Sequence, residues 1–66
     1  MYWKIIFTNA KTTWKLVNFV IANNYNEVVD YAEECVKSND ETAFYWIYEL
    51  SEKQKRKNNV WIDLTT

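Results

Sequence analysis

The sequence predicts an α+β domain of order ββαββ, and three observations carry that reading. Two segments dense in β-branched and aromatic residues open the chain, one stripe of apolar residues at helical spacing occupies its middle, and two further strand-like segments follow. At 66 residues the chain is one domain, 1–66. Folding alone, a domain of this size buries only about 60% of its unfolded surface.

Residues 2–8, "YWKIIFT", have strand composition, "NAKT" at 9–12 is a polar connection, and residues 13–22, "TWKLVNFVIA", are strand-like again, so the start reads as a β-hairpin. In the segment that follows, Asn24 with Glu27 three residues on forms a capping box with asparagine in the place of serine or threonine. Tyr25, Val28, Val29, Ala32, Cys35 and Val36 then recur at steps of three and four, one face of an α-helix, and Asn39 is placed to end it in a left-handed conformation. Residues 43–50, "AFYWIYEL", form the third strand. "SEKQKRKNN" is a polar connection, and "VWIDLT" at 60–65 the fourth strand.

A helix returning from strand 2 starts strand 3 parallel to it, so placing strand 1 between them makes every neighbour antiparallel. The economical sheet is therefore antiparallel, of order 2-1-3-4, with the helix on one face. Alternation divides each strand into two faces. Trp3, Ile5 and Phe7, Phe44, Trp46, Tyr48 and Leu50, and Val60, Ile62 and Leu64 are the purer apolar sets and are assigned to the helix side. Strand 2 is divided less cleanly: Val17, Phe19 and Ile21 read as its core set with Asn18 facing out, and a bulge near Val17 would reconcile the rival set Trp14, Leu16 and Val20. The expected core is Trp3, Phe7, Phe19, Val28, Ala32, Trp46 and Ile62. The expected open face holds Tyr2, Ile6, Trp14, Leu16, Val20, Tyr45, Ile47 and Trp61, edged by Lys4, Glu49 and Asp63. One helix cannot cover both faces, and so apolar a face predicts a binding surface or a homodimer, with Trp14, Tyr45, Ile47 and Trp61 as its contact residues.

Composition excludes several chemistries. The chain has no histidine and a single cysteine, so neither a disulfide framework nor a histidine-based metal site is expected, and Ser38 and Ser51 have no base beside them in the sequence. Glu33–Glu34 and Asp40–Glu41 are adjacent pairs, which do not face each other on a helix. No glycine-bearing calcium loop is present. The expectation is a protein that is not an enzyme and takes no cofactor or metal. Cys35, on the apolar stripe, reads as a small buried hydrophobe. No apolar run approaches the roughly 18 residues of a membrane span, the start is unlike a signal peptide, and the unpaired cysteine fits a reducing compartment; no membrane partner and a cytoplasmic location are expected. Glycine and proline are absent while asparagine occurs eight times, so asparagine is expected to serve the turns, and the usage of Asn, Lys, Ile, Tyr and Phe points to a low-GC genome.

Charge is segregated along the chain. Residues 26–52 hold eight acids against Lys37 alone, a net of −7, while the rest holds seven bases against Asp63, a net of +6; together they give the overall −1. Glu27, Asp30 and Glu34 lie three and four apart with Glu33 beside them, an acidic helix face suited to a basic groove. The counterpart is the loop "KQKRK", with Lys53, Lys55, Arg56 and Lys57, which beside sheet aromatics is the material of nucleic-acid binding, although the sequence pI near 5.3 is low for that role.

The segment "FVIANNYNEVVDYAEECVK", residues 19–37, resembles a pattern common in small phage and mobile-element proteins of low-GC hosts: a strand ending in alanine, a short polar link and an acidic helix with alanine on its buried stripe. In size, acidity and lack of catalytic residues the chain is similar to anti-CRISPR proteins and related inhibitors of bacterial defence. The resemblance transfers no site residue. It implies a phage-encoded inhibitor acting in the host cytoplasm, and the charge pattern, read separately, leads to the expectation that it docks on a protein partner with a basic surface, such as a host nuclease, through Glu27, Asp30, Glu33 and Glu34. The alternative is a small nucleic-acid-binding protein using the sheet aromatics and the basic loop.

Overall fold

β1 (Tyr2–Asn9) is the hub of the molecule: it pairs antiparallel with β2 (Lys15–Ile21) on one side and with β3 (Ala43–Leu50) on the other. The computed structural model describes residues 1–9, 15–39, 43–55 and 60–65. Between β2 and β3 runs the helix α1 (Tyr25–Asn39). After β3 come a single helical turn, α2 (Glu52–Lys55), and the two-residue strand β4 (Ile62–Asp63).

The α+β class, the ββαββ strand order and the central place of β1 agree with the expectation; the position of β4 does not. The sheet is mixed, of order β3-β1-β2-β4, and β4 lies parallel to β2, with Val20 opposite Ile62 and Ile21 opposite Asp63. β3 ends with Leu50 beside Tyr2, the end of the sheet where β2 also finishes. The chain leaving β3 reaches β4 past two intervening strands there, a span of about 14 Å. This crossing brings Trp61 onto Tyr2 and Phe19, with ring centroids at 5.4 and 5.6 Å and near-perpendicular planes. A hairpin back along β3 would have left those rings without that cover. The strand expected at 60–65 shrinks to Ile62–Asp63, held by the Leu64 amide on the Ile21 carbonyl at 2.8 Å.

α1 begins as the capping box implied. The Asn24 side-chain oxygen accepts from the Glu27 amide at 3.0 Å and the Asn24 amide group reaches back to the Glu27 carboxylate. Its buried stripe is Val28 and Ala32, with Tyr31, Cys35 and Val36 packed partly against it; Tyr25 lies outside, exposed but tilted against Trp3 at 5.9 Å. The helix continues through Asn39, and no described residue has a positive φ, so asparagine does not serve the described turns by a left-handed backbone.

Beneath the helix lie Trp3, Ile5, Phe7, Val20 and Ala22. The register of β1 with β2 is unbroken from Tyr2↔Ile21 to Thr8↔Lys15, so no bulge occurs. Trp3 faces Val20 and Ile5 faces Asn18, which places the set Leu16, Asn18, Val20 and Ala22 on the helix side and Val17, Phe19 and Ile21 on the other. β3 is inverted in the same way: Phe7 faces Tyr45, Ile5 faces Ile47 and Trp3 faces Glu49, so Phe44, Trp46, Tyr48 and Leu50 point away from the helix. Of the expected core, Trp3, Phe7, Val28 and Ala32 are buried, whereas Phe19 and Trp46 stand on the opposite face and Ile62 is partly exposed. The physical reason lies in the helix stripe. Toward Val28 and Ala32, β3 presents Tyr45 and Ile47, which pack against the core, and the Tyr45 hydroxyl reaches Glu33 on the same helix; alternation then turns Phe44, Trp46 and Tyr48 outward.

Candidate functional site

Among the described residues, the face of the sheet away from the helix carries the exposed side chains of Val17, Phe44, Trp46 and Tyr48, and it is the candidate site. Its rows follow from the register: Phe44, Thr8 and Lys15; Trp46, Ile6 and Val17; Tyr48, Lys4 and Phe19; Leu50, Tyr2 and Ile21. Trp61 and α2 divide this face in two. At the Tyr2 end, Trp61 lies across Tyr2 and Phe19, and α2 delivers Lys55, whose Nζ donates to the Tyr2 hydroxyl at 2.7 Å and sits 4.3 Å from the ring centroid. α2 holds this position through a Ser-x-x-Gln capping box. The Gln54 amide donates to Ser51 Oγ at 3.4 Å, and the Ser51 amide donates to Gln54 Oε1 at 2.9 Å. The residues of that box, Ser51 and Gln54, are present in "SEKQ", although a polar run between strands reads first as a loop.

The other half of the face is open. Phe44, Trp46 and Tyr48 project from alternate positions of the edge strand and are 54%, 49% and 47% exposed, and Val17, also exposed, lies across Ile6 from Trp46. Alternate residues on a strand stand about 7 Å apart, so the three rings form a row. Lys4 places its Nζ 5.4 Å from the Tyr48 centroid, and Lys15 is exposed at the end of the row of Phe44. Among the described side chains of this half there is no carboxylate.

The expected contact set is therefore redistributed. Trp61 belongs to the face but covers it instead of extending it. Tyr45 and Ile47 lie on the helix side, as do Leu16, Val20 and Glu49, and Trp14 lies outside the described residues. Tyr2 and Ile6 are on the face as expected, Lys4 stands within it, and Asp63, next to Ile21, marks its covered corner. There Asp63 accepts from the amide and hydroxyl of Thr65; the hydroxyl bond first, then the amide, hold its carboxyl below the usual range.

On the far side of the molecule the acidic helix is less free than its spacing suggested. Glu27 is engaged by its cap with Asn24, and Glu33 accepts a 2.6 Å hydrogen bond from the Tyr45 hydroxyl, a bond that pushes the Tyr45 phenol up to about 12. Asp30 and Glu34 are exposed. Deeper, the Tyr31 hydroxyl is raised above the ordinary phenol value, chiefly by burial and then by the neighbouring Cys35, and its bond from Asn18 acts the other way. Of the basic loop, Lys53 is exposed and Lys55 is folded onto Tyr2, while Arg56 and Lys57 lie outside the described residues. Among the described residues no three Cys, Asp or Glu side chains converge as a metal-binding group, and no helix is long and apolar enough to cross a membrane.

Comparison with protein-family models, curated proteins and solved structures found no match for this chain.

Proposed function

We propose that the chain is a non-catalytic binding module whose working surface is the open half of its sheet. The observation that carries this is the row Phe44, Trp46 and Tyr48, three large rings each about half exposed on one face of a strand. A domain of this size gains most of its stability from apolar burial, so leaving three rings in water is costly unless they meet a partner. Aromatic residues are also the side chains that most often dominate binding energy.

A second reading is an inhibitor docking on a basic protein through the helix, the role implied by the likeness to phage-encoded inhibitors. What favours it is the exposure of Asp30 and Glu34 on the side of the molecule away from the rings. Glu33 is exposed beside them, but its carboxylate accepts from the Tyr45 hydroxyl and Glu27 is held by its cap with Asn24, so two of the four carboxylates are already oriented by partners within the fold.

Passing cell lysate over the immobilised chain separates these surfaces when run beside Trp46→Ser and the pair Asp30→Lys with Glu34→Lys. Retention lost with Trp46→Ser alone is expected. Retention lost only with the reversed acids transfers the function to the helix, and retention indifferent to both sets sinks the proposal.

A further inference from the structure

Resting on the open half as the working surface, we propose that its occupant is single-stranded nucleic acid, with bases stacked on Phe44 and Trp46 and phosphates met by Lys4 and Lys15. Three features point to this ligand. Rings in a row at strand spacing form a stacking platform that accepts any base, because every base has a π-face. Two cations border that platform and no carboxylate stands among its described side chains, so its charge is opposite to that of the chain as a whole. The acids of α1 lie across the thickness of the sheet, and at physiological salt the screening length of about 8 Å weakens their reach to the ring face. A second copy packed face to face is the poorer occupant, since a two-fold contact between the open halves sets lysines against lysines with no acid among their described side chains. Single strands are preferred to duplex because stacking needs bases that are not already paired and stacked.

A short fluorescein-labelled oligothymidylate titrated with the full chain, read by anisotropy, tests the assignment beside the matching oligouridylate and a duplex of the same length. Binding of the single strands is expected to quench tryptophan emission. Trp46→Ala should weaken it about tenfold or more, and Trp46→Phe should restore most of it, because the platform and not the indole is required. Affinity should fall with salt, and Lys15→Gln should flatten the log–log salt slope by about 0.7, the share of one phosphate on a single strand. Circular dichroism of each variant guards against loss of fold. Absence of oligonucleotide binding overturns the occupant. If sedimentation then shows a dimer that Trp46→Ala dissociates, the working surface stands with a second copy on it. Oligonucleotide binding indifferent to Trp46→Ala overturns occupant and surface together, and duplex bound as tightly as single strand overturns the stacking mode.

Discussion

The side-chain amide of Asn18 donates to the Tyr31 hydroxyl at 3.3 Å, across the interface between the central sheet and the helix. Asn18 thus sits on the helix side, opposite Ile5, where an unpartnered amide would be costly. Tyr31→Phe should destabilise the fold by about 1 kcal/mol, since it strands a partly buried donor, while adding Asn18→Leu should recover most of that loss by removing the donor as well. Urea melts of the two singles and the double decide this; additive losses would count against the bond.

That bond also explains which parts of the fold the sequence made legible. The strand and helix segments were written in local pattern: alternation in β1, a three-and-four stripe with an Asn24–Glu27 cap in α1. The facing of β2 and β3 was not. Asn18 looks like an outward residue until Tyr31 is known to meet it, and Phe44, Trp46 and Tyr48 look like core until cross-strand register pairs Tyr45 with Phe7. Both depend on partners far along the chain, and an alternating strand apolar on both faces cannot say which face is covered. The place of β4 was hidden for a similar reason. Only the crossing that lays Trp61 over Tyr2 and Phe19 distinguishes a parallel return from a hairpin. The charge segregation was plain in composition, but the roles of Glu27 and Glu33 within the fold were not.

Tyr45 should be a slow-titrating tyrosine. Its hydrogen bond to Glu33, burial and the Glu33 charge raise its phenol to about 12 from the ordinary 10. A raised folded-state value means the neutral form is favoured by folding, so this contribution is full below about pH 10 and is lost as pH climbs through 12. A spectrophotometric tyrosine titration should therefore show a late component, absent in Tyr45→Phe and shifted down in Glu33→Gln. A Tyr45→Phe curve identical to the parent's would contradict the bond.

The covered corner should respond as a unit. Ser51→Ala removes the oxygen that caps α2 and should cost about 1 kcal/mol. Because α2 is what brings Lys55 to Tyr2, its loosening should also bare Trp61, which acrylamide quenching of tryptophan emission reports. Lys55→Met should reproduce the quenching change with a smaller loss of stability. Quenching unchanged in both variants would mean that Trp61 holds its place without α2.

Two tryptophans on opposite faces of the same sheet should behave in opposite ways. Trp3 is 5% exposed among Ile5, Val20, Val28 and Ala32, so Trp3→Ala opens a cavity in the only described core and should cost about 3–5 kcal/mol, close to the whole stability of so small a domain. Its indole N–H is buried without a partner, so Trp3→Phe, which deletes that donor along with some volume, should cost clearly less than the alanine change. Trp46 stands half exposed on the open half, and Trp46→Ala should change stability by no more than about 1 kcal/mol while weakening oligonucleotide binding about tenfold or more. Chemical denaturation of the three variants, followed by far-ultraviolet circular dichroism, makes the comparison. Unfolding of Trp46→Ala at low denaturant, with Trp3→Ala left intact, would reverse the two faces and take the proposed binding surface with them.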